Sequence, residues 1–338
     1  MKKVAILGPR NAGLIDAPDP KPVKDWALVK VHSTPMCTEY GMFLGGRPAQ
    51  YMGHEAAGEV VEIAQPCRVN VGDRVVVQPQ YPCGKCQLCV TGDFIHCQNG
   101  HNFDQFTGGP EGKATYAQYI LKPSWLLSPI PDDVSYDYGS LAVCALGPSY
   151  EAFKKMGVRA YDNVLITGLG PVGLGAVVNA RFLNARVIGV DLEPWRQTRA
   201  AQMGAEAVLD PRNEDILDQI RGLTNGIGVD YALDCSGNVN AERLCIDATR
   251  RRGKVAYVGE CGAQLSIRVS PDLIRKGLTV MGSWHYNLGG AQDIMRIVQR
   301  SDLIELLISH RFPMSKIQEA FETSASKQCA KIILHPWE

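Results

Sequence analysis

The 338-residue chain has no excess of either charge: Lys plus Arg and Asp plus Glu number 35 each, and the pI is about 7.0. Without an overall positive field, neither nucleic acid nor an anionic membrane is an expected partner, and a small molecule is. The chain also lacks a long apolar run at its start. "MKKVAILGPRNAG" offers two lysines and a short apolar run, Val4 to Leu7, before Gly8 and Pro9, which is too little for a signal-peptide core or a membrane span. The expected location is the cytoplasm. Apolar residues are plentiful at 45%, and the length exceeds one ordinary core, so two domains are expected.

Eleven cysteines in a cytoplasmic chain are expected to be reduced thiols, which turns attention to metal. Four of them, Cys83, Cys86, Cys89 and Cys97, follow the spacing C-x2-C-x2-C-x7-C in "YPCGKCQLCVTGDFIHC". That spacing, with Gly84 and Gly92 available for turns, suits one tetrahedral zinc bound at about 2.3 Å by each thiolate. Four sulfurs leave no open position, so this zinc is expected to be structural. A redox relay or unliganded surface thiols are the competing explanations.

A second set of soft donors is dispersed. Cys37 ends the alternating run "WALVKVHSTP", His54 and Glu55 precede the strand-like "AAGEVVEI", and Cys144 lies about ninety residues further on in "LAVCALGPSYEAF". Each alone reads more readily as core. Together, two cysteines and a histidine plus a fourth oxygen or nitrogen ligand form the three-protein-ligand pattern of a catalytic zinc.

The middle of the chain carries Gly168-Leu169-Gly170-Pro171-Val172-Gly173 after a buried strand at 164–167 and before a helix, with Asp191 ending the next strand at 187–190. In that context G-x-G-x-x-G reads as a dinucleotide fingerprint: glycines allow the backbone to approach a pyrophosphate at the helix N-terminus, and the acid meets the adenosine ribose. Asp191 would repel a 2'-phosphate and favours NAD over NADP, while Arg196 tempers that preference. Further strands are expected at 205–210, 229–237, 253–260 and 278–284, giving six parallel strands alternating with helices such as 241–251. Cys235, at the end of the fourth, is expected to touch the cofactor without reacting. Ile294, Ile297 and Val298 share a helix face, Ser315-x-x-Gln318 reads as a capping box, and "CAKIILHPWE" reads as a final strand returning to the first domain. Cys67, Cys245, Cys261 and Cys329 read as buried hydrophobes.

With these motifs in order, the whole chain resembles the zinc-containing medium-chain dehydrogenase superfamily of alcohol, sorbitol and threonine dehydrogenases. The resemblance implies an α/β fold: a Rossmann doubly wound parallel sheet (149–285) inserted into a GroES-like β-barrel catalytic domain (1–148, with a zinc lobe at about 80–100, and 286–338). It implies a catalytic zinc on Cys37, His54 and Cys144 with Glu55 as a fourth ligand, a structural zinc on Cys83, Cys86, Cys89 and Cys97, and hydride transfer between a secondary alcohol and NAD. The metal would act as a Lewis acid easing deprotonation of the alcohol.

One departure concerns the proton. Such dehydrogenases commonly read C-x-[ST]-D here, whereas this chain reads Cys37-Thr38-Glu39-Tyr40, with Met42 where a histidine is usual. Thr38 after a local backbone shift, Glu39 as a base or outer-shell group, or Tyr40 could begin the relay, or Glu39 could face solvent. The pocket is expected to draw on Tyr51, Phe103 and Tyr150, with the 284–287 segment adding to it or to a subunit contact, which suits a sugar, cyclitol or polyol. An amino alcohol paired with Glu39 or Glu151 is the alternative. A non-catalytic NAD-binding protein would be marked by loss of Cys37, His54 or Cys144, and a zinc-free reductase by loss of both cysteine sets; neither loss is present. An exposed edge at 278–284 suggests a homodimer or homotetramer.

Overall fold

In the computed structural model, which describes all residues from Met1 to Glu338, the chain divides into two compact units, Met1–Cys144 with Asn287–Arg300 and Ile308–Glu338, and Ala145–Tyr286 with Ser301–Leu307. In the first unit, β1 (Lys2–Gly8) and β2 (Asn11–Asp16) pair as a hairpin. β3 (Trp26–Pro35) then pairs antiparallel with β4 (Ala56–Ile63), which pairs with β5 (Arg74–Val77), while β6 (Tyr119–Pro123) lies against β3 and β7 (Leu127–Pro129) against β5.

Alternation along β3 makes its two faces serve two cores. Ala27, Val29 and Val31 pack with Val60, Val75, Val77 and Ile120, whereas Trp26 and Leu28 join Leu121 and Phe103 in an aromatic cluster. Phe103 is therefore a core residue, its ring 5.7 Å from that of Trp26, and not a wall of a substrate pocket.

The second unit is a six-stranded parallel sheet made of β8 (Asn163–Thr167), β9 (Arg186–Val190), β10 (Ala207–Leu209), β11 (Val229–Asp234), β12 (Thr249–Tyr257) and β13 (Thr279–Gly282). Its order, β10-β9-β8-β11-β12-β13, reverses direction of travel between β8 and β11, the place where doubly wound folds bind ligands. The helix expected at 241–251 instead spans Val239–Ala248, started by the Asn238 side chain accepting from the Asn240 and Ala241 N–H groups. It stops because the chain becomes extended at Thr249, whose hydroxyl caps the Cys245 carbonyl at 2.6 Å and whose backbone begins β12.

The chain returns to the first unit through the helix Ala291–Arg300, which buries Ile294, Met295, Ile297 and Val298. Residues 301–307, assigned from sequence to the returning segment, pack in the second unit, where Ile304 and Leu307 are buried and Arg199 donates to the Leu306 carbonyl. β14 (Ile308–Pro313) then pairs with β15 (Lys331–His335), which also pairs with β3. The Ser315–Gln318 capping box does not form. A 3-10 turn, Met314–Lys316, leads into the helix Ile317–Ala325, and the Gln318 amide is drawn away to accept from Ala12 N–H at 2.9 Å and donate to the Arg10 carbonyl at 3.0 Å.

His335, at the end of β15, bonds Asp137 (Nε2 to Oδ1, 2.9 Å), which also accepts from Ser33 and Arg311. The bond to Asp137 raises the His335 imidazole above its ordinary value. A raised folded pKa contributes stability that is complete below the unfolded value, about 6.5, and is lost as pH climbs through the folded one. His335→Asn is thus expected to lower the unfolding free energy measured by urea titration at acid pH, by about 0.5 kcal/mol for so solvent-screened a pair. The gap between variant and parent should narrow as pH rises; a gap independent of pH would show that the ion pair contributes nothing.

Candidate metal centre and nucleotide site

Cys83, Cys86, Cys89 and Cys97 come together around one point. The Sγ separations are 3.4 Å for Cys86–Cys89, 3.6 Å for Cys83–Cys97, 3.8 Å for Cys86–Cys97 and 3.9 Å for Cys83–Cys89. Four sulfurs about 2.3 Å from a tetrahedral zinc stand about 3.8 Å apart, so the donor set fits that ion. Backbone N–H groups of Cys83 and Asn99 point at the Cys97 sulfur, each at 3.4 Å, and the N–H of Lys85 helps pull the Cys83 thiol down to about 6. Beneath the cluster lie Phe94, Ile95 and Leu126. Asn287, expected beside a substrate, instead holds this lobe: its amide donates to the Thr91 carbonyl at 2.8 Å and to Asp93 at 2.9 Å.

The dispersed donors also converge, with one ligand atom from each of Cys37, His54, Glu55 and Cys144 within 4.8 Å of every other. Strand pairing does this. Cys37 follows β3 where Met36 N–H bonds the Ile332 carbonyl beside β15, and Glu55 sits at the mouth of β4, its carbonyl accepting from Thr34. Cys144 projects from a π-helical turn, Ala142–Leu146, an irregularity often found at functional sites. His54 Nε2 lies 3.3 Å from the Cys144 sulfur, while Nδ1 lies 3.0 Å from Glu39 Oε1. With Nδ1–H given to Glu39, Nε2 is free to bind a metal, the usual division of labour in a metal-binding imidazole.

Electrostatics point the same way. Burial opposes ionisation of Glu39, yet the bonds from His54 and Tyr116 hold its carboxyl down to about 2. Cys37 is lowered well below the ordinary thiol value, chiefly by its bond with Cys144. Burial would lower the His54 imidazole, but Cys37 and the two acids raise it to about 11. The Cys144 thiol, by contrast with that of Cys37, is pushed well up by its bond with Cys37 and by burial, so the pair shares one proton that a bound cation would displace; two cysteine sulfurs and an imidazole are donors that zinc accepts.

Two neighbours were not apparent from sequence. Lys331, fully buried in β15, donates to Glu55 Oε1 at 2.5 Å and to the Met36 carbonyl at 3.2 Å. Burial pushes the Glu55 carboxyl up to about 7, against the pull of Lys331. The available signal was a lysine inside the apolar run "CAKIIL". Tyr116, with no such signal, donates to Glu39 Oε2 at 2.9 Å. Glu39, buried, does not face solvent. Tyr40 packs its ring against the core, and Tyr51 donates to Glu111 at 2.9 Å.

In the second unit, Gly168 follows β8 with φ +80°, and a Cβ there would stand 2.6 Å from that of Ser236; one on Gly173 would meet the Gly168 carbonyl at 1.8 Å. Glycine is thus required at both for the loop to close against the helix Pro171–Phe182. Gly170 faces only the Arg196 guanidinium, 3.5 Å from its notional Cβ, so Pro171, Val172 and the loop N–H groups stand at an accessible helix start. Asp191 Oδ2 accepts from Leu169 N–H at 2.6 Å, which ties the acid to the loop, and Cys235 N–H bonds the Thr167 carbonyl at 2.8 Å on the loop's other flank. These residues could hold a dinucleotide.

The profile of the alcohol dehydrogenase GroES-like domain matches residues 23–132, and that of the zinc-binding dehydrogenases matches 171–301. The uncharacterized zinc-type alcohol dehydrogenase-like protein YphC of Escherichia coli is 36% identical, covering 84% of this chain and 80% of its own length. The chain belongs to the zinc-containing medium-chain dehydrogenase superfamily. Among other members, L-threonine 3-dehydrogenase of Pyrococcus furiosus is 31% identical over 98% of both chains, and sorbitol dehydrogenase of Bacillus subtilis is 28% identical over 99% of this chain and 97% of its own. The fold matches that of alcohol dehydrogenase TADH from Thermus sp. ATN1, with a TM-score of 0.89, 24% identity and 99% coverage of both chains. This dehydrogenase is a zinc-dependent oxidoreductase acting on alcohols, built from a GroES-like domain and a Rossmann sheet. No helix in it is long and apolar enough to cross a membrane.

Proposed function

We propose that this dehydrogenase oxidises a secondary alcohol of a sugar, cyclitol or polyol with NAD, using one catalytic zinc on Cys37, His54, Cys144 and, in exchange, Glu55, and one structural zinc on Cys83, Cys86, Cys89 and Cys97. The observation that carries this reading is the convergence of Cys37, His54, Glu55 and Cys144 with Glu39 on the far nitrogen of His54. When bound, the zinc supplies a Lewis acid that eases loss of the alcohol proton, and the nicotinamide takes up the hydride.

The chain's own groups then divide the work. Glu39 is committed to Cys37 N–H, Tyr116 and His54, so it orients the imidazole and does not collect the substrate proton. Tyr40 packs its ring against the core and stands three positions from Cys37, further along the chain than Thr38. Thr38 remains: it lies beside Cys37, is exposed, and its hydroxyl can accept the proton and pass it to water. Thr38→Val should lower kcat by roughly 10²- to 10³-fold while metal content is unchanged; a variant with full kcat would exclude Thr38 as the carrier.

In the nucleotide half, Asp191 favours the free ribose hydroxyls of NAD, and Arg196, whose buried Nε has no protein partner, is available to the cofactor's phosphates. The amino-alcohol reading, kept alive by the threonine dehydrogenase relative, needs a free carboxylate for an ammonium. Glu39 is taken, and Glu151 lies 3.5 Å from Lys155, so a neutral hydroxylated substrate is the better fit. Eleven free thiols suit a reducing compartment such as the cytoplasm. β13, paired within the chain on one side only, offers an edge through which copies could assemble into dimers or tetramers.

The test is zinc content per chain followed, on the same sample, by turnover of polyols, cyclitols, sugars, amino alcohols and simple alcohols with NAD and NADP. Two zincs and NADH formed on a hydroxylated neutral substrate are expected. Turnover confined to amino alcohols, or a preference for NADP, would overturn the respective assignment.

A further inference from the structure

We propose that Tyr116 is a positioning residue of the metal centre: its hydroxyl fixes Glu39 in the orientation that presents Oε1 to His54, and so sets how firmly the site holds its metal. The inference rests on the reading of Cys37, His54 and Cys144 as metal ligands.

Glutamate carries one more rotatable bond than aspartate, so a glutamate that must aim a single oxygen at an imidazole needs restraint at the other. Oε2 supplies it, accepting from Cys37 N–H at 3.0 Å and from Tyr116 O–H at 2.9 Å, while Oε1 lies 3.0 Å from His54 Nδ1. Cys37 N–H and His54 place one donor at each oxygen, and Tyr116 adds a second at Oε2, a restraint without which the carboxylate would be freer to rock.

Tyr116 is itself immobile. It is 2% exposed, its N–H donates to the Met52 carbonyl and its carbonyl accepts from Val4 N–H, each at 2.9 Å. Its ring fills the space over Gly53, where a Cβ would fall 2.3 Å from Cδ1. The tyrosine therefore touches both turns that bring ligands to the site, Gly53–His54 through its ring and Cys37–Glu39 through its hydroxyl. Phenylalanine would fill the same volume. A buried hydroxyl is unfavourable unless bonded, and here it is spent on Glu39.

The test loads the full-length protein with Co²⁺ as a probe and follows, for each site, release to a chelator and the visible absorption band. In Tyr116→Phe, release from the Cys37–His54–Cys144 site should be about tenfold faster with an altered band, the size of effect seen when an outer partner of a ligand is lost. Release from the four-cysteine lobe and the melting temperature should stay as in the parent. Glu39→Gln should accelerate release at least as much, and Tyr116→Phe with Glu39→Gln should be no faster than Glu39→Gln alone, because the tyrosine acts through the acid. Unchanged release and band in Tyr116→Phe, additive effects in the double variant, or loosening of both sites together would each overturn the proposal. His54→Ala separates the two levels. If it still binds two cobalt ions, the ligand assignment itself is wrong; if it loses one while Tyr116→Phe is silent, only the role of Tyr116 is wrong.

Discussion

Cys37→Ser is expected to leave a folded protein with one zinc and turnover reduced by about 10³-fold or more, whereas Cys86→Ser should yield a protein that is unstable or poorly soluble. The first figure follows from the several kcal/mol of charge stabilisation that a metal Lewis acid contributes, about 4 kcal/mol being about 10³-fold. Cys37 lies at the end of β3, whose ten residues pair with β4, β6 and β15, so the strand persists without the metal. The lobe around Cys86 has no such support. Its regular structure amounts to a four-residue helix, Gln87–Val90, and a three-residue turn, Phe94–His96. Elements this short do not hold themselves, and the binding energy of a structural zinc is in effect the lobe's folding energy. Without it, Phe94, Ile95 and Leu126 lose their cover and Asn287 its carbonyl partner at Thr91. Metal content, melting temperature and kcat for the two variants check the result; equal loss of folding in both would undo the division between catalytic and structural sites.

Lys331→Met should destabilise the first unit by up to about 3–5 kcal/mol, the loss typical when one member of a buried ion pair is removed, and by less where the Glu55 carboxyl, already raised by burial and no longer held down by the lysine, takes up a proton. Both side chains are fully buried, and Glu55 Oε2 also accepts from Cys144 N–H at 3.3 Å, so the pair braces the turn that carries Cys144 as well as the core. Burial alone would lower the Lys331 ammonium, but Glu55 and the two thiols outweigh it and keep it charged. A double change, Lys331→Met with Glu55→Gln, removes the uncompensated charge and should recover much of the stability, though not the activity. Chemical denaturation of the two single variants and the double variant gives the coupling. Additivity, or a stable Lys331→Met protein, would show that Glu55 does not need the lysine.

What the sequence made legible follows from distance along the chain. The four cysteines of the lobe lie within fifteen residues, and the glycine loop with its flanking strand, helix and acid occupies one βαβ unit, so local spacing was enough to read them. The parallel sheet was legible too, because each buried strand declares itself by a short apolar run. Helix ends were less so: the helix ending at Ala248 and the missing Ser315 cap depended on Thr249 turning extended and on Gln318 finding Arg10 and Ala12, more than 300 residues away in sequence. The site's finer roles were decided only by tertiary structure. Lys331 meets Glu55 across 276 positions because β15 and β4 both pair with β3, and Tyr116 meets Glu39 across 77 because its backbone is held between Val4 and Met52. Glu39 could be read from sequence as base, outer-shell group or solvent-facing acid; its burial beside His54 and Tyr116 removes the solvent-facing reading. Residue types and spacing determined which chemistry was available. Which side chain performs each part depended on where long-range pairing directs a few buried polar groups, and in a low-dielectric interior each of those must find a partner.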